Sequence, residues 1–105
     1  MTTSDLGIDV SEEGSRAVAA LRGEIDYGNV AQLRSSLLGL SQGSATEVVV
    51  DMAGVTFVDS TALSVLVQAK QRLAESGRQM SIIDPQPRVI RVLRLAGLSD
   101  YLGDD

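Results

Sequence analysis

Asp59-Ser60-Thr61 is the stretch of this chain whose side chains could do chemistry. It sets a carboxylate and two hydroxyls side by side, after an apolar approach segment, Val55-Thr56-Phe57-Val58. Beyond it Leu63, Leu66, Val67, Lys70, Leu73 and Ala74 recur at helical spacing, an apolar stripe broken only by the stem of Lys70. Asp, Ser and Thr all favour the first positions of a helix, where their oxygens accept backbone N–H groups that lack a partner inside it. Two roles are open to Ser60 at such a place. The plain one is an N-cap, and residue types alone favour it. The sharper one is a phosphorylation site, because a hydroxyl at a helix start is exposed and its phosphate would meet the positive end of the helix dipole. The two roles are compatible.

Other chemistries have little to work with. Among 105 residues there is no histidine and no cysteine, so no Ser–His or Cys–His nucleophile pair can be built, nor a zinc site of the usual N/S kind. The 14 acidic residues leave carboxylate chemistry open, but most fall in loops and at the two ends, as on a solvated surface. Gly39 and Gly43 lack the Lys-Ser/Thr that completes a phosphate-binding loop. No enzyme, cofactor or metal is expected. The net charge of −5 and basic residues that read as scattered argue against nucleic acid and against an anionic membrane. Tyr27, Phe57 and Tyr101 are the only aromatics, too few for base stacking. A protein partner stays open.

The 44% of hydrophobic residues is ordinary for a globular protein, and the apolar runs are too short to span a bilayer. Met1 to Leu6 has neither the basic region nor the apolar core of a signal peptide. With no cysteine, a cytoplasmic setting is expected. The length predicts one domain over residues 1–105 and, for so small an acidic chain, a monomer when free.

The elements that must position Asp59-Ser60-Thr61 are legible on either side. Leu6–Val10 reads as a short strand closed by the polar cluster Ser11–Ser15, and Arg16–Ile25 as a strand hairpinned onto it. Asp26-Tyr27-Gly28-Asn29 combines turn residues with an N-cap candidate in Asn29, before Val30, Leu33, Leu37 and Leu40 at helical spacing. Ser41–Ser44 closes that helix. Glu47–Met52, with three consecutive valines, predicts a strand buried on both faces, followed by a turn at Ala53-Gly54. Gly77 suits the end of the helix that starts at Ser60. Gln79–Asp84 reads as a further strand. Pro85 and Pro87 lead into a last helix with apolar positions Val89, Ile90, Val92, Leu93 and Ala96, which Gly97 ends. Leu98–Leu102 could add a short edge strand before the acidic tail. Strands alternating with helices on short loops predict an α/β fold, a mixed sheet of four to five strands with helices mainly on one face.

Four blocks of this sequence resemble the STAS domain of bacterial anti-sigma-factor antagonists. They are Leu21-Arg22-Gly23-Glu24-Ile25-Asp26, Val49-Val50-Asp51-Met52, Phe57-Val58-Asp59-Ser60-Thr61-Ala62-Leu63 and Arg91-Val92-Leu93-Arg94-Leu95-Ala96-Gly97-Leu98. The likeness covers nearly the whole chain, and the Asp-Ser-Thr block is its specific part. It implies that Ser60 is phosphorylated by an anti-sigma factor that is also a serine kinase. It further implies that the unphosphorylated form binds that kinase and releases its sigma factor, and that a serine/threonine phosphatase resets the switch. The family's partner surface joins this helix start to the turn at Asp26. That carries over Asp26, Asp59, Ser60, Thr61 and Ala62 as partner-binding positions, with Tyr27 and Asn29 as their neighbours in the turn. Asp26 could equally be a turn residue bonding its own backbone, and Thr61 a second capping hydroxyl. Gly23 and Gly54 suit turns or bulges better than contacts. Many family members have glycine at the positions of Ala62 and Ser64, and the Ala62 methyl bears on how closely a kinase backbone approaches. The family's closing amphipathic helix has no counterpart after Leu98.

Two other readings compete. A STAS scaffold subunit of a transporter or stress-sensing complex would not be modified by an anti-sigma kinase. A small-ligand or nucleotide-binding protein needs a pocket with polar anchors and would be stabilised by its ligand.

Overall fold

The computed structural model describes residues 6–103. They form β1 (Leu6–Glu13), β2 (Arg16–Ile25), α1 (Val30–Ser41), β3 (Glu47–Val58), α2 (Ser60–Glu75), β4 (Gln79–Ile83), α3 (Pro87–Leu95) and a short 3₁₀ helix at Ser99–Tyr101. The sheet has four strands in the order β1-β2-β3-β4. β1 and β2 pair antiparallel, while β2–β3 and β3–β4 pair parallel. The fold is therefore α/β with a mixed sheet, as the alternation of elements predicts.

Register puts the core on one face. Ala19 lies opposite Val50, Val50 opposite Ile82, and Val48 opposite Met80. These side chains form one buried cluster with Leu33 and Leu37 of α1, Leu66 and Leu73 of α2, and Val89 and Leu93 of α3. The reason is topological. Parallel crossovers are almost always right-handed, so two that step across a sheet in the same direction lay their helices on the same side. The opposite face carries exposed ion pairs, Arg22 with Asp9 and Arg16 with Glu47, which contribute little to stability.

Five sequence expectations change. The predicted turn at Ala53-Gly54 is absent: β3 runs through it for 12 residues, and the irregularity takes the form of register shifts against β2 between Ala20 and Arg22 and between Gly23 and Glu24. A Cβ on Gly54 would lie 2.8 Å from Arg22 Cβ and 3.1 Å from the Leu21 carbonyl oxygen, so glycine there permits close strand approach, not a turn. β1 likewise extends to Glu13, which pairs with Arg16, and the predicted Ser11–Ser15 turn shrinks to Gly14-Ser15. β4 stops at Ile83 because Asp84 adopts φ 55°, a left-handed conformation incompatible with a strand.

In place of an edge strand over Leu98–Leu102, Ser99–Tyr101 forms the 3₁₀ helix, and the chain pairs with the sheet only after it, through a single bridge of Leu102 to Ile82 with Gly103 N–H donating to the Ile82 carbonyl (2.7 Å). The predicted tail at Asp104 and Asp105 lies outside the described residues. Finally, α2 is rotated about one position from its predicted stripe. Ala62, Val65, Leu66, Ala69 and Leu73 are buried, Leu63 and Val67 sit at the flank, and Ala74 is exposed. The small side chains of Ala62 and Ala69 let the helix approach the sheet closely, and the larger ones border it. Gly77 ends α2 as predicted, at φ 73°, with Arg78 N–H donating to the Leu73 carbonyl (2.9 Å) and Gly77 N–H to that of Ala74 (3.0 Å).

Candidate functional site

β3 ends at Val58 and α2 begins at Ser60, so Asp59 must reverse the chain between them. Its backbone is extended (φ −107°, ψ −176°), and its Oδ1 accepts from the N–H groups of Thr61 (2.9 Å) and Ala62 (3.1 Å). Asp59 is thus the N-cap, and Ser60 is the first residue of the helix. The Thr61 hydroxyl also donates to Asp59 Oδ1, at 2.5 Å. Partial burial alone would raise the Asp59 carboxyl. The bonds from the Thr61 hydroxyl and from the backbone of Ala62, Tyr27 and Thr61 outweigh it and hold the group below its ordinary range.

The second oxygen of Asp59 crosses to the neighbouring turn, where Oδ2 accepts from Tyr27 N–H (3.0 Å). That turn follows β2, the strand parallel to β3, and Asp59 N–H donates to the Ile25 carbonyl (3.2 Å). Asp26 Oδ1 accepts from Gly28 N–H (2.9 Å), closing an Asx turn on its own backbone. Asn29 occupies the N-cap position of α1, as its type suggested, but its side chain makes no capping bond. It is buried, with Oδ1 accepting from Asp26 N–H (3.0 Å) and Nδ2 donating to the Glu24 carbonyl (2.8 Å). No side chain caps α1. The Tyr27 side chain stands outward, 83% exposed.

The sequence-predicted residues accordingly fall into three groups. Ser60 and Tyr27 are exposed, and Asp26, Asp59 and Thr61 are half-buried between them. Asn29 and Ala62 are taken out of the accessible surface: the Ala62 methyl is in the core, and only its N–H serves the site, through Asp59. The expectation that this methyl limits a partner's approach is therefore corrected. Ser60 is the one hydroxyl of the pair left outward. Among the described residues no side chain bonds its Oγ, while its carbonyl accepts from the Ser64 hydroxyl (3.2 Å).

Sequence reasoning missed two features. Phe57, paired with Glu24 beside the same turn, is 42% exposed. An aromatic at an outward strand position two residues before the cap was the available signal. The basic residues are also less scattered than they read: Arg88, Arg91 and Arg94, spaced by three on a helical segment, are all exposed on α3. Elsewhere, a cleft of about 430 Å³ between α1 and α2 is lined by Leu37, Val65 and Ala69 with Arg34 and Arg72, and it shares no residue with the Ser60 turn. No helix among the described residues is long and apolar enough to cross a membrane.

The STAS domain profile matches residues 8–103. The anti-sigma F factor antagonist of Lysinibacillus sphaericus is 25% identical over 88 residues, 83% of this chain and 75% of that protein. The anti-sigma-B factor antagonist of Staphylococcus aureus is 24% identical over 98 residues, 93% of this chain and 91% of that one. Among solved structures, the anti-sigma factor antagonist SpoIIAA in its unphosphorylated form superposes with a TM-score of 0.83 at 22% identity, covering 94% of this chain and 88% of its own. The phosphorylated form of SpoIIAA from Bacillus superposes at 0.76.

Proposed function

The chain belongs to the STAS domain family, and on that footing we propose that it is an anti-sigma-factor antagonist, a protein-binding module switched by phosphorylation of Ser60. Unphosphorylated, it binds an anti-sigma serine kinase and frees a sigma factor. Phosphorylated, it is released until a serine/threonine phosphatase resets it. It acts in the cytoplasm, is not an enzyme, and is a monomer when free. Relatives named as antagonists of anti-sigma F and anti-sigma-B factors support the role, and a neighbour solved in both phosphorylation states supports the switch.

The observation that carries the reading is the difference between two adjacent hydroxyls. Thr61 Oγ1 is committed to Asp59, whereas Ser60 Oγ stands outward at the first position of α2. A kinase meeting this turn finds one nucleophile available. Tyr27, its backbone N–H bonded to Asp59, offers an exposed aromatic beside it, a residue type enriched among interface anchors. Asp26 shapes the turn that presents Tyr27.

Phosphate on Ser60 adds about −1.5 to −2 charges. Within this domain the helix start stabilises it by about 0.3–1 kcal/mol, and repulsion from Asp59 offsets that, so the fold changes little. Across an interface the same dianion, desolvated or facing carboxylates, costs several times the roughly 1.4 kcal/mol that shifts affinity tenfold. The switch therefore acts on binding.

Intact-mass spectrometry after incubation with the cognate anti-sigma kinase and ATP tests this directly. One added phosphate is expected on the wild type and none on Ser60→Ala. Ser60→Asp should bind the kinase at least about tenfold more weakly. If Ser60→Asp binds as tightly as the wild type, the charge mechanism is wrong. A wild type that takes no phosphate yet binds another protein stably would move the reading to the scaffold.

A further inference from the structure

This acidic chain keeps three of its nine basic residues on one short helix. Val89 and Leu93 turn α3 into the core, and Arg88, Arg91 and Arg94 lie on its exposed side. At about 100° per residue, these three and Leu95 share a sector of about 120°. Leu95 is 83% exposed. Four of the other six basic residues are partnered. Arg16 pairs with Glu47 and Arg22 with Asp9; Arg78 donates to the Gly43 and Ala45 carbonyls; Lys70 donates to the Met80 carbonyl and lies 4.8 Å from the Tyr101 ring centre. Arg88, Arg91 and Arg94 form no ion pair among the described residues.

This patch is continuous with the Ser60 end of α2. A groove of about 340 Å³ between α2 and the end of α3 is lined by Leu63, Ser64, Val67, Gln68, Ala96 and Leu98. Its near end is one helical turn from Ser60, since the Ser64 hydroxyl bonds the Ser60 carbonyl. Ala96 and Leu98 line it from the α3 side, and Ala96 directly follows Leu95 in the chain. A protein seated on Ser60 and covering the roughly 800 Å² per partner of an ordinary interface extends along this groove to α3.

We infer that the anti-sigma kinase docked at Ser60 also reaches α3, presenting an acidic segment with one apolar side chain to Arg91, Arg94 and Leu95. This rests on the reading of Ser60 as the docking surface. The chemistry of the patch specifies the occupant. Guanidinium groups bind carboxylates in a two-pronged geometry that lysine cannot supply, and a groove lined by Leu63, Val67, Ala96 and Leu98 accepts a side chain rather than a phosphate backbone. The rest of the chain is acidic and repels nucleic acid. The two ends of the surface then do different work: the arginines steer encounter, and the state of Ser60 sets how long the complex lasts.

Association kinetics of the full chain with the cognate anti-sigma kinase test the inference. Arg91→Glu/Arg94→Glu should associate about tenfold or more slowly at low salt, with the difference shrinking as salt rises and with dissociation little changed. Leu95→Ala should instead speed dissociation several-fold. Arg34→Glu/Arg72→Glu makes the same charge change at the α1–α2 cleft and should leave association within about twofold of wild type. Equal slowing by both pairs would reduce the effect to net charge, and no slowing by either would remove α3 from the interface; each overturns the inference. So would α3 variants that keep wild-type kinase association but lose binding to vesicles containing anionic lipid, which would make the patch a membrane contact. Thermal melts of every variant exclude misfolding as the cause. The two readings fail separately. If Ser60→Asp blocks binding while Arg91→Glu/Arg94→Glu is neutral, α3 alone is wrong. If the wild type does not bind the kinase, the Ser60 reading falls and this inference with it.

Discussion

The starts of α1 and α2 lie side by side, at the ends of parallel neighbouring strands, and each is preceded by a residue of the capping type. Asn29 before α1 turns inward, is 8% exposed, and spends both ends of its amide on the backbone of Asp26 and Glu24. Asp59 before α2 caps its own helix through one oxygen and ties down Tyr27 through the other. One side chain shapes the turn, and its neighbour shapes the helix and joins it to that turn. Their combined effect is a hydrogen-bonded double corner from which the Tyr27 and Ser60 side chains stand out. A helix start can thus be held by its cap's side chain or by the turn before it, and in this protein the side-chain-capped start is the one that presents a hydroxyl, Ser60.

Substitutions should separate the two starts. Asn29→Ala is expected to cost the most, about 2–3 kcal/mol, because it removes a buried amide and leaves the part-buried Asp26 N–H and Glu24 carbonyl without those bonds. Chemical denaturation measures the loss, which corresponds to a melting temperature lower by roughly 10–20 °C. Asp59→Ala should cost about 1–2 kcal/mol through the lost cap. It should also release Tyr27 N–H to faster hydrogen exchange, a readout that Asn29→Ala would share only if the whole corner were one unit.

A smaller and sharper effect lies in acid. The hydrogen bonds to Asp59 hold its carboxyl below the usual value of 3.8, so the folded chain binds that proton more weakly than the unfolded chain does. The stability this confers is present above about pH 4 and is lost as pH falls through the folded value. Melting curves between neutral pH and pH 3 should fall less steeply for Asp59→Asn than for the wild type. Asn29→Asp, by contrast, adds a carboxylate without the amide's donor and should destabilise most at neutral pH. Smallest of all is Ser60→Ala, expected to change stability by less than about 0.5 kcal/mol despite abolishing phosphorylation. A larger loss would mean that the hydroxyl does structural work and would weaken its assignment as a switch.

What was legible beforehand followed from local rules. Periodicity and turn chemistry located every strand and helix but the last, because apolar spacing and glycine or proline punctuation act over a few residues. The Asp-Ser-Thr triplet marked the start of α2 for the same reason. Where reading failed, a distant partner decided. Gly54 looked like a turn until the Leu21 carbonyl and Arg22 came within contact of it across the sheet. Asn29 stands at the N-cap as its type suggested, but its amide bonds Glu24 across the turn and not its own helix. The face of α2 was misjudged by one position because close packing on the sheet selects small side chains, Ala62 and Ala69, which carry little hydrophobic signal of their own.

By itself, then, the sequence determined the order of elements, the α/β class, and a hydroxyl at the start of α2. Each of these depends on side-chain period and on caps that bond within three residues. Only the tertiary structure decided which oxygen was occupied and which was outward. The Tyr27–Asp59 bond spans 32 positions of chain, and nothing local distinguishes Asp59 as the residue that makes it. Parallel pairing of β2 with β3 brings the two turns together, and the bonds formed there consume Asp59 and Thr61 and leave Ser60 facing solvent.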